Sequence, residues 1–442
     1  MPASPMPLPE SRIHLTADAA IASVESTRLR RARRVLEIGL FCLPALLIST
    51  PWGLTPFTAF ALAALLMAPD QLLRGKREIG RSLRLLLALV LAVTVVVVMS
   101  KFIFDVRWRE VDNRLRLLTL PFFALMVYAY RPSRRWLWAG ALAGLVGAFV
   151  VAAWQVGNGV DRALGWTDNA IMFADALIAL IVLAVFCRPP GELLWTTLAC
   201  AIGIGAVALS GSRGIWPGLA LVLVIGLLVS AGRARKLLLS LLAVLALTVI
   251  ASWWIPPLAE QTRIEELRSD VDRYMEGDAA SSLGERLVLL SLAGETFAEH
   301  PVTGIGVGSF GRAVRDLPQC QPPASRPGLC RLGHAHSDLP EWAATMGVPG
   351  LLAILGVYLL PLFLFARRLR ELPDGRARSA ALAGLVLVLV YVACGLTQSM
   401  FAHQLIASFY AVAVGTLYGF ALREARDARG ARAATERTSA LA

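Results

Sequence analysis

Residues 83–100 read LRLLLALVLAVTVVVVMS, eighteen residues in which Arg84 is the single charge. A run of about 17–25 apolar residues is the length of helix that crosses the roughly 30 Å hydrocarbon core of a bilayer. Because lipid offers no hydrogen-bond partners, a backbone that crosses it has to satisfy its own amides and carbonyls, as a helix does. We therefore predict a transmembrane helix here.

Similar runs recur along the 442 residues, of which 57% are hydrophobic and only 17% are charged. A soluble domain of this size does not need so much apolar surface. We predict spans at about 36–50, 54–69, 83–100, 117–130, 136–155, 170–187, 193–209, 215–231, 237–255, 347–366, 379–396 and 403–422. The predicted fold class is an all-α polytopic membrane protein with about twelve transmembrane helices.

Positive charge falls in alternate connections between these spans. The formal net charge is +12, and most basic residues lie in segments 28–34, 74–84, 131–135, 188, 233–236, 367–378 and 423–437. Basic loops stay on the cytoplasmic side, so we predict that these segments and both termini are cytoplasmic. The basic excess therefore indicates topology and contact with anionic lipid headgroups, and it does not indicate a nucleic-acid partner.

One connection on the opposite side is far longer than the others. It runs over residues 256–346, called here the outer loop, and it is too long for a simple connector. We predict one helix at about 258–275 and a second from Ser282, with Ser282 and Glu285 as a capping box, ending before Pro301. The predicted organisation is listed along the chain as a cytoplasmic segment 1–35, transmembrane helices 1–9 in 36–255, the outer loop 256–346, transmembrane helices 10–12 in 347–422 and a cytoplasmic tail 423–442.

Two cysteines, Cys320 and Cys330, fall in the outer loop. A disulfide between them is plausible in an oxidising compartment, and two free thiols fit the sequence equally well. The other four cysteines lie in or beside apolar spans, where cysteine packs as a small core residue.

Two of the five histidines stand together at the end of the outer loop, in LGHAHSDLPEW, residues 332–342. His334, His336 and Asp338 have the spacing of metal ligands, but only His300 lies near and no acidic cluster does. We expect Asp338 to be the N-cap of the next helix, whose positive end disfavours a protonated imidazole, so a general base also fits. Two loop histidines that touch lipid headgroups are the third interpretation.

Arginines at the outer surface depart from the positive-inside trend. Arg213, in SGSRG at residues 210–214, and Arg286 have side chains able to hold a diphosphate through paired hydrogen bonds. Interfacial snorkelling is the alternative for Arg213. A further outer connection is either an anion site or a set of internal salt bridges, and its charged residues are Lys101, Asp105, Arg107, Arg109, Glu110, Asp112, Arg114 and Arg116.

Two other motifs carry little weight. The pair Asp270 and Asp272 has the form of a metal-binding acidic pair, but we interpret it as the solvated face of a charged helix. The segment GVGSFG, residues 306–311, matches a dinucleotide fingerprint without the strand that should precede it. We interpret it as a turn that lets backbone approach a partner, with phosphate as one candidate.

The ordered set of motifs resembles a known family. It comprises Ser-Arg213-Gly at a helix junction, Arg286 in a long outer loop, HPVTGIGVGSF at residues 300–310, His-x-His-Ser, and Glu341. Together they are similar to the O-antigen ligase and polymerase superfamily of Gram-negative envelopes. The resemblance covers about residues 160–360 in motif and the whole chain in helix count.

The resemblance implies a metal-independent, inverting glycosyltransferase with a GT-C-like fold in the inner membrane. It would move O-antigen polysaccharide from undecaprenyl diphosphate to a hydroxyl of lipid A–core at the periplasmic face. Diphosphate is a good leaving group, so charge stabilisation and a base are needed and no cofactor is expected. The implied site residues are His336 as general base, His334 beside it, and Arg213, Arg286, Arg116 and Lys101 around the diphosphate.

Other functions fit the same sequence. An O-antigen polymerase or a protein O-oligosaccharyltransferase of the same superfamily would use the same donor and base. A polyprenyl-linked saccharide flippase would also have many spans, but transporters more often carry ionisable residues inside them. Here Asp175 in the sixth span is the main one, which favours catalysis at the outer surface.

Overall fold

The chain folds into helices joined by short connections. The computed structural model describes residues 10–212, 214–229, 281–322, 328–372 and 378–441, with isolated positions between 232 and 250. The helices in this part are α1 (Glu10–Ala45), α2 (Thr55–Met67), α3 (Asp70–Phe104), α4 (Trp108–Leu115), α5 (Thr119–Tyr130), α6 (Arg135–Gly157), α7 (Ala170–Phe186), α8 (Leu193–Ser210), α9 (Trp216–Val229), α10 (Ser282–Glu299), α11 (Phe310–Arg315), α12 (Asp338–Glu371), α13 (Ser379–Gly395) and α14 (Gln404–Leu441). Short 3-10 turns are Arg116–Leu118, Pro318–Cys320, Leu329–Arg331 and Met400–Ala402, and the described residues contain no strand.

Every predicted span except the ninth coincides with a helix, and the ninth, 237–255, lies mostly outside the described residues. Five of the described helices are long and apolar enough to cross a membrane, namely α3, α6, α8, α12 and α14. Helices α2, α7, α9 and α13 are equally apolar but shorter. The protein is therefore an all-helical, polytopic membrane protein, while the total of twelve spans and the GT-C-like arrangement stay predictions.

Helix α7 lies at the centre of the helix bundle. Its sequence AIMFADALIALIVLAVF is apolar on every side, and almost every residue of it is buried. A helix without a polar face is stable only when neighbours surround it, and α6, α8, α9 and α13 do so here. Its single acid, Asp175, is only 3% exposed.

A layer of buried aromatic side chains lies beneath the start of α12. The ring of Phe401 is 5.1 Å from that of Tyr410 and 5.7 Å from that of Tyr358, and the rings of Tyr391 and Tyr410 are 4.8 Å apart. The hydroxyl of Tyr358 donates to Asp338 at 2.6 Å. This layer ties α12, α13 and α14 together directly under the histidine segment.

Helix α12 is broken at Gly347. This glycine has φ +64, and a methyl group placed on it would lie 2.6 Å from the carbonyl oxygen of Pro301. The next amide, of Val348, donates to that same oxygen at 2.7 Å. Glycine is therefore required both by the left-handed backbone and by the close approach. The break falls at the predicted boundary between the outer loop and the tenth span.

The glycine-rich segment 304–311 packs its backbone against the first part of α12. The amides of residues 305–307 donate to the carbonyls of Ala344 and Thr345, at 3.1 and 2.9 Å, and to the hydroxyl of Ser100 at 2.9 Å. The glycines thus let this backbone approach another part of the protein. The amides of residues 305–307 are already hydrogen-bonded within the fold.

Two helix caps lie one residue earlier than predicted. Helix α10 begins at Ser282 as expected, but Ser281 is its N-cap and accepts from the Gly284 amide at 3.1 Å. The N-cap of α12 is Ser337, because the carboxylate of Asp338 is buried and accepts from the Tyr358 hydroxyl instead of capping the helix. The predicted helix at 258–275 lies outside the described residues.

Part of the outer loop has a small apolar cluster of its own. Its buried residues are Leu289, Ala293, Phe310, Val314, Leu329, Ala335 and Ala344. They join α10, α11 and the segment before α12 into one packed unit. Cys320 and Cys330 form a disulfide in this unit, with their Cα atoms 5.5 Å apart, so the pairing alternative is the one observed.

Candidate active site

The histidine segment adopts a backbone conformation that a histidine rarely takes. His336 has φ +51, in the left-handed region. Two other non-glycine residues share such a φ among the described residues, Asp105 and Arg131, and both are C-caps, where a left-handed residue is common. His336 instead stands just before the N-cap of α12. Strain of about 1–3 kcal/mol of this kind persists where surrounding contacts impose it, often at functional sites.

Hydrogen bonds on both sides of His336 hold this conformation. The amide of Ala335 donates to a carboxylate oxygen of Glu341 at 2.7 Å. The hydroxyl of Ser337 donates to the Gly395 carbonyl at 3.2 Å. Both acceptors are buried, so the segment is anchored to α12 on one side and to the end of α13 on the other.

The imidazole of His336 is half-buried and bonded to Gln398. Its Nδ1 lies 2.6 Å from Oε1 of Gln398, whose side chain is buried. Burial lowers the pKa of His336 below its ordinary value, and the nearby positive charge of Arg286 lowers it further. The ring is therefore neutral near pH 7 and able to accept a proton.

A third histidine, His403, joins this site from the turn before α14. Its ring centroid lies 5.5 Å from that of His334, and its Nε2 lies 3.2 Å from Nε2 of Gln398. Burial and the neighbouring histidines lower the pKa of His403 to about 4, so this ring is also neutral. Neither Gln398 nor His403 could be predicted from the sequence, because neither belongs to a motif and the fold alone brings them to the 334–338 segment.

Glu341 and Arg114 form a buried ion pair behind the histidines. Their charged groups are 3.9 Å apart, and the two side chains are 1% and 2% exposed. Nδ1 of His334 lies 3.6 Å from the same carboxylate oxygen, and the Arg114 guanidinium lies 5.8 Å from the Trp342 ring. Arg114, one of the charged residues of the outer connection 101–116, thus pairs with α12 from its position on α4.

Arg286, on α10, lies beside the loop that carries Arg213. A methyl group placed on Gly214 would be 3.8 Å from Nη1 of Arg286, and the Thr397 hydroxyl donates to the Gly214 carbonyl at 3.3 Å. Arg286 also acts electrostatically on His336. The structure therefore brings Arg286, the Gly214 turn and the His336 site together, whereas Arg213 itself lies outside the described residues.

Lys101 and Arg116 have partners in their own part of the structure. The Lys101 ammonium lies 3.6 Å from Asp105 and against the rings of Phe102 and Trp108. The Arg116 guanidinium donates to Asp112 at 2.6 Å and to Ser408 at 3.3 Å. Both residues therefore form internal salt bridges, which was one of the two interpretations of this connection. An additional role in donor binding stays a prediction.

A metal site was one interpretation of the histidine segment. Within the described ranges, no group of three or more histidine, cysteine, aspartate or glutamate side chains is arranged to hold a metal ion. The pair Asp270 and Asp272 lies outside the described residues.

The fold and site define a polytopic membrane protein with a histidine and an arginine at one end of its helix bundle. Residues 198–355 match the family model described as O-antigen ligase. This match supports membership in the O-antigen ligase and polymerase superfamily, so the predicted superfamily is confirmed. The matched region includes Arg286, His334, His336 and Glu341.

A similar protein occurs in Haemophilus influenzae. It is described as an uncharacterized protein and is 24% identical to this chain over 384 residues. The alignment covers 85% of this chain and 95% of the relative. The likeness therefore extends beyond the family-model match to nearly the whole of both proteins.

Proposed function

We propose that this protein is a metal-independent, inverting glycosyltransferase that moves O-antigen polysaccharide from undecaprenyl diphosphate to lipid A–core. The observation that carries the proposal is the geometry of His336, whose backbone has φ +51 and whose ring is held by Gln398 with the charge of Arg286 nearby. A base and a cationic group are what displacement of a diphosphate requires. The O-antigen ligase family match is consistent with this chemistry.

The reaction is a single displacement. His336 removes the proton from a sugar hydroxyl of lipid A–core as that oxygen attacks the anomeric carbon of the donor. The bond from this carbon to the diphosphate oxygen breaks on the opposite face, so the anomeric configuration inverts. Arg286 and Arg213 stabilise the charge on the departing diphosphate, since guanidinium groups pair with two phosphate oxygens at once. Lys101 and Arg116 would act further out on the donor, and His334 beside the base.

The domain boundaries and the location of the protein belong to this proposal. The protein would be a multi-pass protein of the inner membrane with both termini cytoplasmic and with residues 256–346 in the periplasm. The disulfide of Cys320 and Cys330 supports this side, because disulfides persist in oxidising compartments such as the bacterial periplasm. The apolar helix surfaces would contact membrane lipids and the lipid parts of donor and acceptor.

Labelling from outside tests the topology. We expect a cysteine placed at Ala298, an exposed position on α10, to react with a membrane-impermeant maleimide in intact spheroplasts. A cysteine at Arg370, exposed at the other end of α12, should react only after the membrane is opened. The unsubstituted protein gives the background from its own cysteines. Protection of position 298 in intact spheroplasts would overturn the topology.

Transfer by the purified protein tests the activity. We expect purified protein, given undecaprenyl diphosphate-linked polysaccharide and lipid A–core, to form glycosylated lipid A–core at the same rate with and without EDTA. Abolition by EDTA, with rescue by one metal, would contradict metal independence. Lengthened lipid-linked glycan without transfer to lipid A–core would identify a polymerase instead.

An arginine variant in the same assay tests the diphosphate site. Arg286→Lys keeps the charge but loses the two-pronged hydrogen-bonding geometry, so donor use should weaken. Arg315→Lys is the matched control, an exposed arginine on α11 in the same loop. Equal donor use by wild type and Arg286→Lys would place the diphosphate elsewhere.

A further inference from the structure

Gln398 lies between two imidazoles at the centre of the candidate site. It stands in the turn between α13 and α14 and is 2% exposed. Its Oε1 is 2.6 Å from Nδ1 of His336, and its Nε2 is 3.2 Å from Nε2 of His403. Its own backbone is fixed as well, since its amide donates to the Cys394 carbonyl at 2.9 Å.

The chemistry of an amide decides where the protons on both rings lie. A carboxamide oxygen only accepts hydrogen bonds and a carboxamide nitrogen only donates them. With the amide in this orientation, Nδ1 of His336 carries a hydrogen and donates a hydrogen bond to Oε1 of Gln398. Nε2 of His403 therefore carries a lone pair and accepts from Gln398. In a neutral His336, the lone pair is then on Nε2, the nitrogen that does not face Gln398.

We propose that Gln398 is a positioning residue that fixes the tautomer and ring orientation of His336, and that its amide nitrogen is held by a hydrogen bond to His403. The lone pair of Nε2 is thereby presented to the acceptor hydroxyl. This inference rests on the proposed function, in which His336 is the base. It requires Nε2 of His403 to carry no hydrogen, because the amide nitrogen that faces it is itself a donor.

A neutral orienting group suits the charges around His336. Arg286 faces the ring from α10, His334 from its own segment, Glu341 from α12, and His403 from beyond Gln398. A carboxylate in place of Gln398 would also accept from Nδ1, but its negative charge would raise the pKa of His336. Glutamine orients the ring and leaves it unprotonated near neutral pH.

Two substitutions separate orientation from charge. Gln398→Met removes both hydrogen bonds at similar volume, and misplacement of a reacting group can cost about 10²-fold. We expect turnover by Gln398→Met to fall by about 10–10²-fold with little change in KM for the donor. Gln398→Glu keeps an acceptor for Nδ1, so it should retain more turnover than Gln398→Met. Its loss of activity on the acid side should begin about one pH unit higher than in wild type.

The measurements use the purified full-length protein with undecaprenyl diphosphate-linked polysaccharide and lipid A–core. Turnover and KM are recorded across pH 5–9, and Gln404→Met, at an exposed glutamine six residues further on, is the matched control. Because the chain has five histidines, nitrogen-15 NMR of histidine-labelled protein can report the tautomer of each ring. We expect a protonated Nδ1 on His336 in wild type and loss of that preference in Gln398→Met.

The outcomes separate this inference from the proposed function. Wild-type turnover and pH dependence in Gln398→Met, in a protein that does transfer glycan, would overturn the positioning role alone. A protonated Nε2 on neutral His336 in wild type would overturn it as well. Absence of transfer by wild type would instead remove the proposed function, while the tautomer in the spectrum would still decide what Gln398 does.

Discussion

Replacing His336 with asparagine should lower turnover by about 10²–10⁴-fold, the usual contribution of a general base. Asparagine tolerates left-handed backbone better than most residues, so the φ of +51 is kept and the base alone is lost. Donor binding should change little, because Arg286 and Arg213 are assigned to the diphosphate. Turnover and donor affinity measured on the same purified variant test this directly.

The neighbouring histidine supplies the control. His334→Asn should reduce turnover less, since His334 is directed toward the buried Glu341 carboxylate, 3.6 Å away, and not toward Gln398. A larger loss for His334→Asn than for His336→Asn would mean that the base has been assigned to the wrong ring. Wild-type turnover in His336→Asn would remove this residue from catalysis.

Replacing Glu341 with glutamine should lower the free energy of unfolding by about 3–5 kcal/mol, the cost of leaving a buried charge unpaired. Glutamine can still accept from the Ala335 amide, but it no longer neutralises Arg114, whose side chain is 2% exposed. Thermal melting and denaturant unfolding of the purified variant in detergent measure the loss. Asp427→Asn, which breaks a partly exposed pair with Arg423, should cost no more than about 1 kcal/mol.

A second substitution distinguishes charge from packing. Adding Arg114→Met to Glu341→Gln removes the unpaired charge, so the double variant should recover much of the lost stability. Equal stability of the two variants would show that the loss comes from packing around position 341. A Glu341→Gln variant as stable as wild type would mean that the ion pair contributes little.

The positions of most apolar helices could be predicted from the sequence because the length and apolarity of a run are local properties. The apolar composition of residues 83–100 and of α7 predicts a helix in each case, whatever the rest of the chain contains. The caps of α10 and α12 were less predictable. Asp338 is a good capping residue by type, but its carboxylate accepts from Tyr358, twenty residues further on, and Ser337 takes the N-cap position.

The candidate site was predictable only in its motif-bearing half. His334, His336 and Arg286 belong to an ordered pattern, and the structure places His336 and Arg286 close enough for each to influence the other electrostatically. Gln398 and His403 follow an apolar helix and give no periodic or spacing signal. The sequence signal at Arg114 was misleading, because a basic residue in an outer connection suggests that it binds an anionic ligand. Its partner is instead Glu341, from a distant part of the chain.

The break at Gly347 divides α12 into two parts. Around the break, Ala344 and Thr345 accept backbone hydrogen bonds from residues 305 and 306, and Val348 donates to Pro301. The part after the break is long and apolar enough to cross a bilayer. A span adjusts its tilt when the bilayer becomes thinner or thicker. In an unbroken helix, a change of tilt would displace Glu341 and His336 directly. We expect the break at Gly347 to reduce how far a change of tilt in the apolar part of α12 displaces Glu341 and His336.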